Sequence, residues 1–400
     1  MSPRQVQRSG RPVNVRTGRR PTLGTVILAL LLAVVSVAGC QTSTADQSAG
    51  SGAGLPAETK ALFEAQQGPL SWEAPGPALT AGSVAEGASL YLIVDVANLP
   101  FTQRLIGGTK AAAEAVGMSV TVVQHQFDPS EAARLIQQGV NNHASVIAVE
   151  GFSGAQLQAP LKAAQDAGVI TMTVITTPDP GPLSPEDQAA GLFAHVTYCQ
   201  TCLGAQMAVA TAGLSQGQAH VGLVYTGDYP SAALFRDGFK AELAKVCPGC
   251  TYAERSVPTA TYTTTVGPAT SSLLSDPSID YLVGVFDALE VYMEPAIAAG
   301  GATDRVRIVT NDADEPQMQS LKDGGLVAAD IGEEVEKIGW GIVDQSLRGM
   351  LDLPPSPDEK IGGRTFTADN IGEIDLTADP VTWYGAPGYA EKYRELWGLP

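Results

Sequence analysis

Basic residues are scarce in this chain of 400 residues, where 24 lysines and arginines stand against 42 aspartates and glutamates. Six of the basic residues are arginines that precede Cys40, and no acidic residue accompanies them there. Without those six, 18 basic and 42 acidic residues leave a net charge of −24. An acidic body of this kind repels phosphate backbones, so we do not expect nucleic acid as a partner.

Several enzyme signatures are also missing. The chain has no GxxxxGK[ST] phosphate loop, no HExxH and no GxGxxG after its first predicted strand. The string from Gly151 to Ala155 approaches the GxSxG nucleophile elbow, but it ends in alanine. Ser153 is therefore expected to cap a helix, and His195, inside a predicted strand, to be structural. We predict no catalytic residue, cofactor or metal, and a hydrolase at Ser153 is kept only as an alternative.

The longest apolar run near the start, from Thr25 to Val37, is too short for a comfortable membrane span. A basic start, a short apolar stretch and small residues describe an export signal over residues 1–39. The end of this run, Val37-Ala38-Gly39-Cys40, resembles the lipobox of bacterial lipoproteins. That resemblance implies cleavage before Cys40 and acyl chains on it, which would anchor the protein to the outer face of the cell membrane. A plain signal peptide with an incidental cysteine is the alternative.

Cysteines are few, and apart from Cys40 they form two CxxC pairs, Cys199/Cys202 and Cys247/Cys250. Outside the cytosol such pairs usually become disulfides, so we predict two local ones. A four-thiolate zinc site is less favoured, because its two knuckles normally lie about 15–20 residues apart. A redox-active first pair also stays open, since a helix start lowers the pKa of a thiol.

The pattern along the chain changes near residue 88. Residues 40–87 are rich in Ser, Gly, Ala and Pro and predict a flexible tether. From Leu90 onward, apolar strands alternate with helical stretches. This alternation predicts an α/β fold with parallel sheets and helices on both faces. The strands are predicted at 90–96, 120–124, 146–149, 170–174, 192–196, 221–225, 252–257, 281–285, 306–310 and 328–331.

Roughly 310 residues of such a pattern exceed one ordinary domain and predict two Rossmann-like lobes. We expect an N-terminal lobe of residues 88–198 plus 334–352, and a C-terminal lobe of 199–333 plus the tail 353–400. The tail is expected to be irregular. Its aromatic residues are expected to pack on a lobe rather than to bind ligand. They are Trp383, Tyr384, Tyr389, Tyr393 and Trp397.

Ligands of open parallel sheets bind beyond the carboxyl ends of the strands. The residues that follow the predicted strands are amides, carboxylates and aromatics, without an obvious nucleophile and base. Such groups suit a neutral polyhydroxyl ligand, whose hydroxyls exchange hydrogen bonds and whose C–H faces meet aromatic rings. The predicted ligand-binding residues are Asn98, Phe101, Thr176, Tyr198, Gln200, Tyr229, Phe235, Tyr262, Phe286, Asp287, Asp312 and Glu333.

In the order and spacing of these pieces, the chain from about Leu90 to Leu351 resembles the type I periplasmic binding proteins of the ribose/galactose type. The pieces include residues 98–101 after the first strand, 285–287 and 309–312, with 322–324 before a late strand. The resemblance implies two lobes joined by a three-strand hinge that closes around a small solute. It also implies delivery to the permease subunits of an ABC importer, and a monomer. A receptor that presents the solute to a membrane signalling protein is the alternative function, ahead of a thiol-disulfide oxidoreductase.

The chain departs from this family where the family carries charged donors. Ile175 and Thr176 replace an Asp-Arg pair, Phe235 replaces an arginine, and Phe286 replaces an asparagine. These replacements predict a cleft that has lost charge and fork-shaped donors. We therefore expect a ligand that is smaller or more apolar than a pentose or hexose, or one that carries an aglycone.

Overall fold

The computed structural model describes residues 54–176, 179–385 and 388–399. The predicted export signal and the predicted lipid attachment at Cys40 lie outside these residues. Across the described ranges, no helix combines the length and the apolar character that crossing a membrane requires.

The segment before the first strand packs against the rest of the protein. Helix α1 (Ala57–Gln66) buries Phe63. Farther along, the amide of Leu79 donates to the carbonyl of Leu396 at 2.6 Å. The predicted flexible tether over 40–87 is therefore wrong for the described part of that range, because buried side chains and backbone hydrogen bonds fix it in place.

The N-terminal lobe contains one sheet of five parallel strands. The strands are β1 (Ser89–Val94), β2 (Ser119–Gln124), β3 (Val146–Glu150), β4 (Ile170–Val174) and β5 (Ala194–Val196). They lie in the order β2-β1-β3-β4-β5. The helices between them are α2 (Pro100–Ala115), α3 (Pro129–Asn141), α4 (Gln158–Asp166) and α5 (Pro185–Ala189). Helices cover both faces of the sheet, which is why the apolar side chains of β1 and β3 are almost wholly buried.

The C-terminal lobe contains a sheet of six strands. Its helices are α6 (Gln200–Leu214), α7 (Pro230–Val246), α8 (Tyr262–Leu274), α9 (Asp287–Ala299) and α10 (Glu315–Lys322). Its strands are β6 (His220–Thr226), β7 (Thr251–Val257), β8 (Tyr281–Gly284), β9 (Arg307–Asn311), β10 (Val327–Glu333) and β11 (Gly363–Thr367). The order is β11-β10-β9-β8-β6-β7, and only the pairing of β11 with β10 is antiparallel. Short 3-10 helices occur at Thr259–Thr261, Ile371–Glu373 and Pro380–Tyr384.

Helix α11 (Val335–Met350) follows β10 and returns to the N-terminal lobe, where it crosses α2. The two helices touch at glycines: a Cβ on Gly108 would lie 2.1 Å from the carbonyl oxygen of Glu336, and one on Gly339 would lie 2.1 Å from the amide of Thr109. Real Cβ atoms do not approach other atoms so closely. This crossing attaches α11 to the N-terminal lobe, as the sequence predicts.

The tail is more ordered than predicted, and it serves both lobes. Strand β11 extends the C-terminal sheet, whereas helix α12 (Tyr389–Leu396) packs on α11. Just beyond α12, Trp397 stacks on Trp340 of α11 with the rings 5.3 Å apart. Assigning all of 353–400 to the C-terminal lobe is therefore wrong for α12. The five tail aromatics are buried, as expected for packing residues.

Three of the connections between the lobes are those of the predicted three-strand hinge: residues 197–199, residue 334 and residues 351–362. The segment between α1 and Leu79 makes an additional passage, because α1 packs on α6 while Leu79 is bonded to the end of α12. Tyr384 packs in the C-terminal lobe whereas α12 packs on α11, so the chain also passes between the lobes before α12.

The first additional passage and helix α12, where the second one ends, are hydrogen-bonded to the third connection, residues 351–362. Ser356 donates its hydroxyl to the carbonyl of Pro75 at 2.6 Å. The Tyr393 hydroxyl donates to Glu359 at 3.2 Å. The hinge region is therefore thicker than three strands of chain.

Both CxxC pairs form local disulfides, Cys199–Cys202 and Cys247–Cys250, which confirms that prediction. The first opens helix α6, where the Cys199 sulfur accepts from the Cys202 amide.

Candidate functional site

A cavity of about 290 Å³ lies where the carboxyl ends of the strands of the two lobes face each other. Asp95 and Glu150 reach it from the ends of β1 and β3, in the N-terminal lobe. Phe286 and Asp312 reach it from just beyond β8 and β9, in the C-terminal lobe. Because both lobes supply its walls, a molecule held here would contact both.

Aromatic rings form much of the wall and meet across the two lobes. Tyr229, at the start of α7, lies edge-on to Phe127 of the N-terminal lobe with ring centres 5.8 Å apart. It also meets Phe286 at 6.0 Å. A Cβ on Gly151 would lie 3.2 Å from the Tyr229 hydroxyl. The lobes are therefore in contact at Tyr229.

Two buried carboxyl groups lie at the N-terminal wall. The backbone amide of Asp95 donates to Glu150 Oε2 at 3.2 Å, and the Thr102 hydroxyl donates to Asp95 Oδ1 at 3.1 Å. Burial raises the pKa of Asp95. Burial, followed by repulsion from Asp95, holds the pKa of Glu150 well above its usual range.

Three further carboxyl groups lie at the C-terminal wall, linked by backbone amides. The amide of Asp287 donates to Asp312 Oδ2 at 3.2 Å, and the amide of Asp314 donates to Asp287 Oδ2 at 2.8 Å. Burial and then the charge of neighbouring carboxylates raise the pKa of Asp287 and Asp312 well above the usual range. The pKa of Asp314 rises to about 6, mainly through burial, although Arg104 opposes the shift.

The residues that line the cavity include these five carboxyl groups and no arginine, lysine or histidine. The guanidinium of Arg104 on α2, outside the lining, lies 4.0 Å from Asp314. Its fork is occupied by Glu336, at 2.9 and 3.3 Å. No fork-shaped donor is therefore among the residues that line the cavity. The expectation that the cleft has lost charge is wrong, because negative groups concentrate there.

Seven of the predicted ligand-binding residues line the cavity. They are Phe101, Tyr198, Tyr229, Tyr262, Phe286, Asp287 and Asp312. They lie together because each follows a strand end or begins the helix after it, as the strand-end rule requires.

The other five predicted residues lie outside the lining. Asn98 is exposed in the turn before α2. Gln200 is buried and donates to the carbonyl of Thr176 at 3.4 Å, so these two fix the first connection between the lobes. Phe235 packs behind Phe286 with ring centres 5.4 Å apart.

Glu333, the last of these five, is wholly buried, and its Oε2 accepts from the side-chain amide of Asn311 at 3.3 Å. Its position at the end of β10 places it beside Asp312, whose pKa its charge helps to raise. Glu333 therefore acts on the site through Asp312.

Several lining residues were not predicted from the sequence, among them Asp95, Phe127, Glu150 and Asp314. Asp95 was hidden inside an apolar run. Glu150 ends an apolar strand, where a carboxylate is unusual. An acidic residue at the end of an apolar run is the signal that could have identified both Asp95 and Glu150. Phe127 lies at positive φ in the turn after β2, which apolar patterning does not mark.

The residues weighed for catalysis have structural roles. The Ser153 hydroxyl donates to Gln156 at 3.1 Å within a turn. The two ring nitrogens of His195 contact Asp187 and Thr173, as expected for a structural histidine. Within the described ranges, no group of three or more His, Cys, Asp or Glu side chains is arranged to hold a metal ion.

Two α/β lobes with a cavity between their strand ends define a two-lobed solute-binding protein. The match to known families is consistent with this class: the chain belongs to the periplasmic binding protein domain family, whose model matches residues 90–347. Membership confirms the predicted family, a binding protein rather than an enzyme, and an extracytoplasmic location.

Solved structures share the fold at low sequence identity. An ABC transporter solute-binding protein from Agrobacterium vitis, bound to α-D-tagatopyranose, is 19% identical with a TM-score of 0.66, over 72% of this chain and 98% of that one. A periplasmic one from Actinobacillus succinogenes, bound to D-allose, is 14% identical with a TM-score of 0.64, over 72% and 100%. One from Burkholderia graminis, bound to D-arabinose, is 20% identical with a TM-score of 0.63, over 72% and 98%. No curated protein matches the chain significantly.

Proposed function

We propose that this protein captures a sugar-sized, hydroxyl-bearing solute between its lobes and delivers it to the permease subunits of an ABC importer. The observation that carries the proposal is the cavity lined by strand ends of both lobes. A solute bound there would bridge the lobes and stabilise their closed arrangement. The sugar complexes of the structural neighbours support the same class of ligand.

The chemistry of the walls suits such a solute. Carboxylate oxygens at Asp95 and Asp312 accept hydrogen bonds from hydroxyl groups. The rings of Phe101 and Tyr262 present apolar faces to C–H surfaces. The cavity volume is near the lower end for small-molecule sites, about 300 Å³, which favours a single small ring or a short polyol.

The position in the cell completes the proposal. Lipid chains on Cys40 would tether the protein to the outer face of the cell membrane, and the protein would act as a monomer. The basic start and the small residues before Cys40 support the anchor.

A ligand screen tests capture. Monosaccharides, polyols and their amino derivatives are added to the purified full-length chain while its melting temperature is followed. A ligand at a hundred times its Kd stabilises the folded state by about 2.7 kcal/mol. Tyr229→Ala should weaken binding at least tenfold, whereas Tyr252→Ala, on the exposed surface of the same lobe, should not.

An equal rise in melting temperature on ligand addition in Tyr229→Ala and Tyr252→Ala would indicate that the ligand binds elsewhere and would contradict the proposal. Deletion of the gene should also abolish cellular uptake of the ligand found. Uptake that continues at the same rate would contradict a role in import.

A further inference from the structure

The walls of the cavity between the lobes carry acidic side chains without basic side chains to balance them. Its five carboxyl groups come from both lobes, and no cationic side chain lines it. Burial, and then the charges of Asp95, Glu150 and Asp312, hold the pKa of Tyr229 well above its usual range, and these carboxyl groups come from both lobes. Buried carboxylates without a counter-ion are costly, and a cation between them would relieve the cost.

Unpartnered polar atoms in the same cavity point to a missing ligand. The hydroxyls of Thr226 and Ser231 line it, are 3% and 1% exposed, and have no hydrogen-bond partner. Asp314 Oδ1 is also buried and accepts no hydrogen bond, and its ion-pair partner Arg104 lies 4.0 Å away. Buried polar groups are normally satisfied, so these atoms call for a partner that brings N–H or O–H donors.

The aromatic walls favour a cation as well. Aromatic faces attract cations through the ring quadrupole, and the attraction grows when water is excluded. Among the lining rings, Tyr262 packs edge-on to Tyr292 with ring centres 5.8 Å apart, and Tyr229 packs edge-on to both Phe127 and Phe286. Rings and carboxylates together suit an ammonium group on a carbon skeleton.

A metal ion fits less well. The described residues offer no group of three or more ligating side chains in a suitable arrangement. The carboxylate oxygens are partly taken by internal donors, as at Asp287, which accepts from Thr310 and from the amide of Asp314. Apolar rings add nothing to a metal site, whereas they bind organic cations.

We propose that the solute captured between the lobes carries a protonated amine, as an amino sugar or amino polyol does, held among Asp95, Glu150 and Asp312 with aromatic faces around it. This inference rests on the proposed solute capture and names the class of solute. It replaces the expectation of a neutral ligand.

Matched ligand pairs test it by calorimetric titration of the full-length chain at neutral pH. D-glucosamine is compared with D-glucose and N-acetyl-D-glucosamine, D-galactosamine with D-galactose, and glucamine with sorbitol. At least one amine should bind at least tenfold more tightly than its hydroxyl counterpart, and D-glucosamine should bind more tightly than N-acetyl-D-glucosamine.

Variants assign the effect to the cavity. Asp312→Asn and Glu150→Gln should each reduce the preference for the amine at least fivefold. Asp304→Asn removes the same charge from the exposed surface of the C-terminal lobe and should leave the preference unchanged.

The failures are distinguishable. Neutral sugars that bind as tightly as their amines would overturn this inference and leave solute capture standing. If no member of any pair bound at 10 mM, on the order of the weakest useful affinities, the proposed sugar-sized solute and this inference would both fall. A preference that survives in both cavity variants would overturn the assignment to these carboxylates.

Discussion

Arg104 joins the two lobes beside the cavity, and its replacement by methionine tests whether this contact holds them together. From α2 in the N-terminal lobe, its Nη1 donates to the carbonyls of Asp312 and Ala313 at 3.0 and 3.2 Å. Its Nη2 donates to the Tyr384 hydroxyl at 3.0 Å. Glu336 on α11 holds the guanidinium in this direction.

The expected cost follows from what the substitution leaves behind. Methionine keeps the aliphatic volume, but it strands the Glu336 carboxylate and two backbone carbonyls. The side chains of Arg104 and Glu336 are only 11% and 12% exposed. Removing one partner of a buried pair costs about 3–5 kcal/mol, and the remaining exposure favours the lower end, about 3 kcal/mol. Arg104→Lys keeps the charge without the fork and should cost about 1–2 kcal/mol.

Urea unfolding of the full-length chain measures both free energies of unfolding. Arg236→Met is the control within one lobe, because Arg236 pairs with the exposed Asp237 and donates to the Tyr225 hydroxyl at 3.1 Å, contacts whose loss should cost about 1 kcal/mol. A fall in the free energy of unfolding of Arg104→Met that is no larger than that of the control would show that Arg104 does not hold the lobes together. Ligand affinity should fall with stability in Arg104→Met, since Asp312 would no longer be positioned.

Two other predictions concern the tail and the buried acids. Trp397→Ala should lower the free energy of unfolding by about 3–5 kcal/mol, because the Trp397 ring stacks on Trp340 and its indole N–H donates to Asp344 at 2.8 Å. Trp397→Phe keeps a ring at this position and should lower the free energy of unfolding by less. Equal decreases for the two variants, measured by urea unfolding, would contradict the role of the stack. Burial raises the pKa of Asp330 to about 7 and that of Glu333 to about 8. An acid whose pKa is higher in the folded than in the unfolded state stabilises the fold most at pH values below its unfolded-state pKa, and this contribution is lost as the pH rises through its folded-state pKa. The ligand-free protein should therefore be less stable at pH 8 than at pH 5. Unfolding free energies that increase over that range would oppose this account.

The sequence was sufficient for the elements that apolar patterning marks. Strands β1, β3 and β4 are buried on both faces and therefore appear as continuous apolar runs. Strand β11, with the sequence Gly-Arg-Thr-Phe-Thr, has no such run and exists because β10 offers an edge to pair with. Helix α1 lies in a stretch rich in turn-forming residues and is held by contacts with α6, which no local pattern reveals.

The site was predictable to the extent that strand ends are predictable. Tyr229, Phe286 and Asp312 stand directly after strands and were found. Phe235 was wrongly predicted to line the cavity. It lies within helix α7, where the direction of a side chain depends on its position around the helix axis, and its ring points into the core. The accumulation of negative charge could not be foreseen, because it depends on carboxyl groups far apart in sequence meeting from opposite lobes.

The thickened hinge affects how fast a solute enters and leaves. Each additional passage, such as the one anchored by Ser356 on Pro75, must bend or detach when the lobes separate. Because bending or detachment costs free energy, such contacts favour the closed arrangement relative to a hinge of three strands alone, so less of the binding free energy is spent on closure. The same stiffness narrows the window for entry, which slows association and lengthens the residence time of the captured molecule.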